Sequence, residues 1–186
     1  NLSTSRGGFG GIVKRERTKP LIAAITGTAV AGGCEISLSC DMIVASNETV
    51  FGLPEVKRSL VAAAGGLFRL PRALGMATAM ELITTGDPLP AQRAYELGMV
   101  NKVVDKADVL DEAKALASRI MANAPLAVQA SRNVASKAMI DDDSDLWRAG
   151  NKAFQGIVGT EDYKEGPLAL SLIHISEPKR PLHISY

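Results

Sequence analysis

Two short apolar runs, PLIAAIT at 20–26 and MIVAS at 42–46, flank a helix-length stretch of mostly small residues at 31–40. The first run opens on Pro20 and closes on Gly27, and its nearly continuous apolar character predicts a strand buried on both faces. The second run repeats that character. Strand, helix and strand in this order predict a βαβ-like unit with parallel strands. Pro54 cannot continue a central ladder, so the FGLPE segment at 51–55 is expected to put Glu55 on a loop just past a strand end.

The pattern then turns helical. Segments 64–74 and 77–85 are rich in Ala, Leu and Met, with Gly75 and Gly86 as stops. MVNKVV at 99–104 returns briefly to strand character. Val109, Ala113, Leu116, Ala117 and Ile120 then recur at helical spacing, which predicts an amphipathic helix with one buried stripe. Pro125 suits a first helical turn, predicting a helix to about 139, and the acidic DDDSD at 141–145 can start another. The reading is α/β at the front with a helical layer behind.

At 186 residues the chain suits one domain with a sizeable core. Hydrophobic residues make up 46% and charged residues 22%, an ordinary globular balance. A net charge of +1 gives no electrostatic reason to expect nucleic acid, and the KRER run at 14–17 reads as a solvated helix face. No apolar run is long enough to predict a membrane helix, and no signal peptide is evident. Cys34 and Cys40 lack metal-ligand or redox spacing and read as buried free thiols in a reducing cytosol. The chain begins at Asn1 without a methionine, so a fragment is expected. Both histidines, His174 and His183, fall in a tail, 170–186, that has no packing periodicity and resembles translated sequencing adapter. With the tail set aside, Ser-His and Cys-His mechanisms lose their base.

Carboxylates are what remain for acid–base chemistry. Glu35 follows the Gly32–Gly33 pair in GTAVAGGCEISLSCD, one turn into a helix expected to start near Gly32. The unpartnered N–H groups of such a terminus form a natural oxyanion site. Glu55 follows twenty residues later. Their spacing leaves three readings open: a shared site, a surface Glu55, or a Glu35 that caps or pairs inside the core. The AAAGGLFRL stretch at 62–70 offers a further small-residue helix start, which on its own points to close helix packing.

KPLIAAITGTAVAGGCEISLSCDMIVAS, FGLPEVKRSLVAAAGGLFRL and ELITTGDPLPAQRAYELGMVNKVV together resemble the enoyl-CoA hydratase, or crotonase, family in order, spacing and residue type. The resemblance runs from about residue 7 to about residue 168. It implies a partial ββα spiral core over 1–105, a C-terminal helical region over 106–169 used in trimerisation, and assembly as a homotrimer or a dimer of trimers. It also implies an acyl-CoA thioester substrate, with coenzyme A as part of the substrate rather than a cofactor, and no metal. Glu35 and Glu55 become the catalytic carboxylates, and Gly32 an oxyanion-hole N–H donor. Ala63 stands where the family orients a water through a backbone amide, usually from a glycine. Retention of both glutamates points to hydration of 2-enoyl-CoA, and the free cysteines point to the cytoplasm. Isomerase or dehydratase chemistry on the same scaffold, and an inactive acyl-CoA-binding or assembly fragment, remain alternatives. The family's N-terminal segment, with its second oxyanion donor, is missing, so the chain alone is expected to be essentially inactive.

Overall fold

Parallel pairing organises the chain. The computed structural model describes residues 2–165; the expectation for the 170–186 tail and its two histidines lies outside the described residues. A short antiparallel hairpin, β1 (Ser3–Thr4) and β2 (Gly8–Phe9), comes first. β3 (Ile22–Ile25) and β4 (Ala29–Val30) then contribute one strand to each of two sheets. After α1 (Gly32–Ser39), β5 (Met42–Ser46) and β6 (Val50–Gly52) repeat that pattern one layer on. β5 lies parallel to β3, with Ile22 opposite Met42, and β6 lies parallel to β4, with Ala29 opposite Phe51. The strand–helix–strand reading at 20–46 is therefore realised with its parallel sense.

A 3-10 turn, Pro54–Arg58, leads to α2 (Gly66–Leu74) and α3 (Met76–Thr85). Gly75 and Gly86 end these helices with φ of 80° and 69°, conformations that glycine adopts without strain. β7 (Leu89–Pro90) pairs antiparallel with β6, and β8 (Lys102–Val104) extends the first sheet in parallel with β5. Between them lies α4 (Ala91–Glu96), a helix the apolar pattern gave no reason to expect. Only Ala91 and Ala94 of it are buried, which is too short a stripe to read as periodic.

α5 (Val109–Met121) lays Val109 and Ala113 on Val44, Ile22 and Val104, along the stripe its spacing predicted. The main core gathers Phe51, Leu53, Leu70 and Cys34. Two compact units emerge, the first ending at Asn123 and the second starting at Ala124. The first thus includes α5, because α5 packs on the β3–β5 sheet. The second contains α6 (Pro125–Ala135) and α7 (Asp143–Ile157), which pack on each other.

Two expectations are corrected. β3 is not buried on both faces: it is an edge strand paired with β5 alone among the described residues, and Ala24 is exposed. Residues 14–17 form no helix: Gly10 and Gly11 hold positive φ in a turn that ends at Lys14, and 15–17 have no regular structure. Arg17 there is largely covered, donating to Ser39 O at 2.7 Å and pairing with Asp41 at 3.1 Å.

Candidate active site

The β4–β6 pairing decides where the two acids go. Val30 lies opposite Gly52 in parallel register, and Ala31 N–H reaches Gly52 O at 2.9 Å, so both strands deliver the chain to the same sheet end. α1 starts there after β4, and the Pro54–Arg58 turn starts there after β6. Glu35 and Glu55 occupy the first turns of these two elements. The interval between them, 55 minus 35, is twenty residues, the same as that between Ile22 and its partner Met42. One layer of the fold therefore separates the acids.

Glu35 is 3% exposed. Its own backbone N–H is bonded within the turn that starts α1, to Ala31 O at 3.1 Å. The carboxylate's partner is α2: Glu35 Oε1 accepts the Gly66 N–H at 2.9 Å. Gly66 is the first residue of that helix, where N–H groups lack intrahelical partners and carry partial positive charge. A buried carboxylate is tolerable on such terms. The approach is close: a Cβ at 66 would lie 2.9 Å from Leu53 Cδ1 and 3.1 Å from Glu35 Cγ, so those side chains would have to shift.

Glu55 is only half-buried, yet its Oε2 is buried with no hydrogen-bond partner among the described residues. Burial pushes its carboxyl above the ordinary value. A hydrogen bond from its own backbone amide opposes the shift and the Glu35 charge adds to it. The pair is thus asymmetric, with Glu35 anchored by an amide and Glu55 biased towards its protonated form.

Gly32, Glu35, Glu55 and Ala63 line one pocket of about 490 Å³, beside Phe9 and Ala64. The structure brings together all four residues singled out from the sequence. Gly32 opens α1, so its N–H is among those without a helical partner. Ala31 before it holds φ 50° and ψ −128°, a backbone state that residues with a Cβ rarely adopt, at the point where the chain turns from strand into helix. Phe9 covers this helix start: a Cβ at 32 would come within 2.4 Å of Phe9 Cε1. Cys34, also buried against the acids, is pushed up to about 12, chiefly by burial, and stays a thiol. An apolar groove of about 380 Å³ between α6 and α7 has two lysines and no acid in its lining.

Two participants escaped the sequence reading. The Gly66 N–H had a signal in the paired glycines at a helix start, but nothing in the sequence aimed it at Glu35. Arg69 had none. Its guanidinium donates to Val13 O at 2.6 Å and to Ala64 O at 3.1 Å, at the pocket's edge.

The sequence pattern of the enoyl-CoA hydratase/isomerase family matches residues 14–171. The chain is similar to the short-chain-enoyl-CoA hydratase of Clostridium acetobutylicum, at 40% identity over 151 residues, 81% of this chain and 58% of that protein. It is also similar to the carnitinyl-CoA dehydratase of Proteus mirabilis, at 39% identity over 170 residues, 89% of this chain and 65% of that protein. These curated relatives are longer, and the chain spans less than two thirds of either. Among solved structures, an enoyl-CoA hydratase from Mycobacterium tuberculosis H37Rv superposes with a TM-score of 0.88 at 44% identity, covering 93% of this chain and 68% of that one. The mixed α/β architecture is a crotonase-like fold.

Proposed function

The chain belongs to the enoyl-CoA hydratase/isomerase family, and we propose that it carries the carboxylate pair of a site that adds water reversibly to 2-enoyl-CoA thioesters. The observation that supports this most directly is the meeting of Glu35 and Glu55 in one pocket with the start of α1. Hydration needs attack by a water oxygen at C3, a proton delivered to C2, and stabilisation of negative charge on the thioester oxygen. Glu35, held as an acceptor by the Gly66 amide through Oε1, keeps Oε2 to take a proton from the water. Glu55, biased towards its protonated form, gives a proton to C2. The proton gained by Glu35 returns to Glu55 through solvent and closes the cycle.

Gly32 N–H serves as one donor to the developing enolate oxygen, an interaction worth roughly 10² to 10³ in rate at comparable sites. Ala63, on the same pocket wall, orients the water through its backbone amide. No metal enters this scheme, and coenzyme A arrives as part of the substrate. The free cysteines suit a reducing cytoplasm. Trp147, Phe154 and Leu126 stand exposed on the second unit, and the family's trimeric assembly, or a dimer of trimers, would cover them. The resemblance to a carnitinyl-CoA dehydratase favours a second reading, the reverse reaction on a 3-hydroxyacyl thioester, by the same residues in exchanged roles.

Loss of the enoyl absorbance of crotonyl-CoA tests the proposal. It is followed for the chain alone and for the chain joined to the preceding segment of the Clostridium relative. The joined form is expected to turn over, and the chain alone to be essentially inactive. Glu35→Gln and Glu55→Gln should each lower the rate by several orders of magnitude, and together by little more than the worse single change. Near-normal turnover by either variant, or none by either unmutated form, overturns the hydratase reading.

A further inference from the structure

Arg69 is placed where three influences oppose a cation. It sits in the first turn of α2, at the positive end of the helix. It is half-buried, and burial, then the nearby Arg17 and Arg72 guanidiniums, lower its pKa; among its charged neighbours Glu35 acts the other way. Its side chain folds back across the start of its own helix rather than out to solvent. Gly65, with φ 110°, makes room for it, since a Cβ there would come within 2.1 Å of Arg69 Nη1. From that position the fork bridges two carbonyls: Ala64 O, in the turn that leads into α2, and Val13 O, 56 positions earlier in the chain. The bridged turn carries Ala63 on one side and the Gly66 N–H on the other, and that N–H holds Glu35 Oε1.

We propose that Arg69 is a positioning residue that ties the 63–66 turn to Val13, and so fixes the Gly66 amide and the Ala63 backbone around Glu35. Its relevance to catalysis rests on the hydratase reading; the tether itself does not. A planar two-pronged donor is required, because a lysine ammonium presents a point charge without the fork that spans two carbonyls.

Amide hydrogen exchange on the full, ¹⁵N-labelled chain tests the tether without any turnover. In Arg69→Met, which keeps an apolar stem, exchange at Gly66 should quicken roughly tenfold or more, the effect of losing charge-assisted hydrogen bonds, while Val44 in the centre of β5 keeps its wild-type rate. Arg69→Lys should behave like Arg69→Met at Gly66, and it also supplies the test should the methionine variant not fold. Unchanged Gly66 exchange overturns the proposal. So does quickening of Gly66 and Val44 by the same factor, which would mark general destabilisation, and so does full restoration by lysine, which would make charge alone the cause. A wild-type chain with a protected Gly66 amide but no hydration of crotonyl-CoA in the joined form counts against the hydratase reading and leaves the tether standing.

Discussion

Gly66 donates its backbone N–H to Glu35 Oε1 at 2.9 Å, joining the start of α2 to the first turn of α1 across 31 positions. The contact satisfies a buried carboxylate with a donor that helix formation leaves unused, and it leaves the second carboxylate oxygen available. Both elements must approach closely for this, and a Cβ at 66 would make Leu53 or Glu35 shift.

Gly66→Ala is therefore expected to push α2 away from Glu35. Overpacking of this kind costs about 1–3 kcal/mol, and the displaced amide should lower the hydration rate roughly tenfold or more. Thermal melting and crotonyl-CoA kinetics on the joined form check both. Wild-type kinetics together with a wild-type melting temperature would contradict the close approach.

Much of this arrangement was legible beforehand, for identifiable reasons. The runs at 20–26 and 42–46 gave their strands because parallel strands demand unbroken apolar segments, and β5 is buried as that predicts. Glu35 drew notice because a carboxylate in a run of small apolar residues is costly without a partner or a use, and Glu55 because Pro54 ends the strand and leaves the acid just past it, where site residues gather. The two-residue strands β4 and β7 are too short to show a period, yet β4 is the strand that aligns the two acids. Arg69 looked like any arginine on an amphipathic helix. Its role depends on Val13 returning to the same place, a relation no local pattern encodes.

The titration of Glu55 predicts how stability varies with pH. A carboxyl whose pKa is raised on folding holds its proton more tightly in the folded chain. Stability from that proton is present below the ordinary Glu value, about 4.3, and is lost as pH rises through the raised one. Glu55→Gln has no such proton to lose. The melting temperature of the wild type relative to Glu55→Gln should fall as pH rises from the ordinary Glu value through the raised one, as read by calorimetry at a series of pH values. A difference that is constant, or that grows with pH, would contradict the burial of this carboxyl.

The two thiols should differ in reactivity. Cys34 is fully buried, with its thiol pushed up to about 12, whereas Cys40 is only half-buried, though burial raises it too. Thiolate is the reactive form. Iodoacetamide at mildly alkaline pH should modify Cys40 first and Cys34 only on unfolding, resolved by peptide mass spectrometry. Early labelling of Cys34 would mean that α1 opens locally far more readily than its packing implies.

Two explanations compete for the glycine at 32. One gives it to the substrate, as room for a thioester carbonyl to reach the N–H groups at the start of α1. The other gives it to Phe9, whose Cε1 and Cζ would lie 2.4 Å and 2.5 Å from a Cβ at that position. Gly32→Ala disturbs both, so the single variant cannot separate them, but a cycle with Phe9→Ala can. The stability loss of Gly32→Ala should come from the ring, about 1–3 kcal/mol of overpacking, and should be relieved in the double variant. The catalytic loss should come from the carbonyl site and persist there. Phe9→Ala/Gly32→Ala is thus expected to melt close to Phe9→Ala while turning over crotonyl-CoA far more slowly. Recovery of both properties together would assign Gly32 to Phe9 alone and remove it from the oxyanion site.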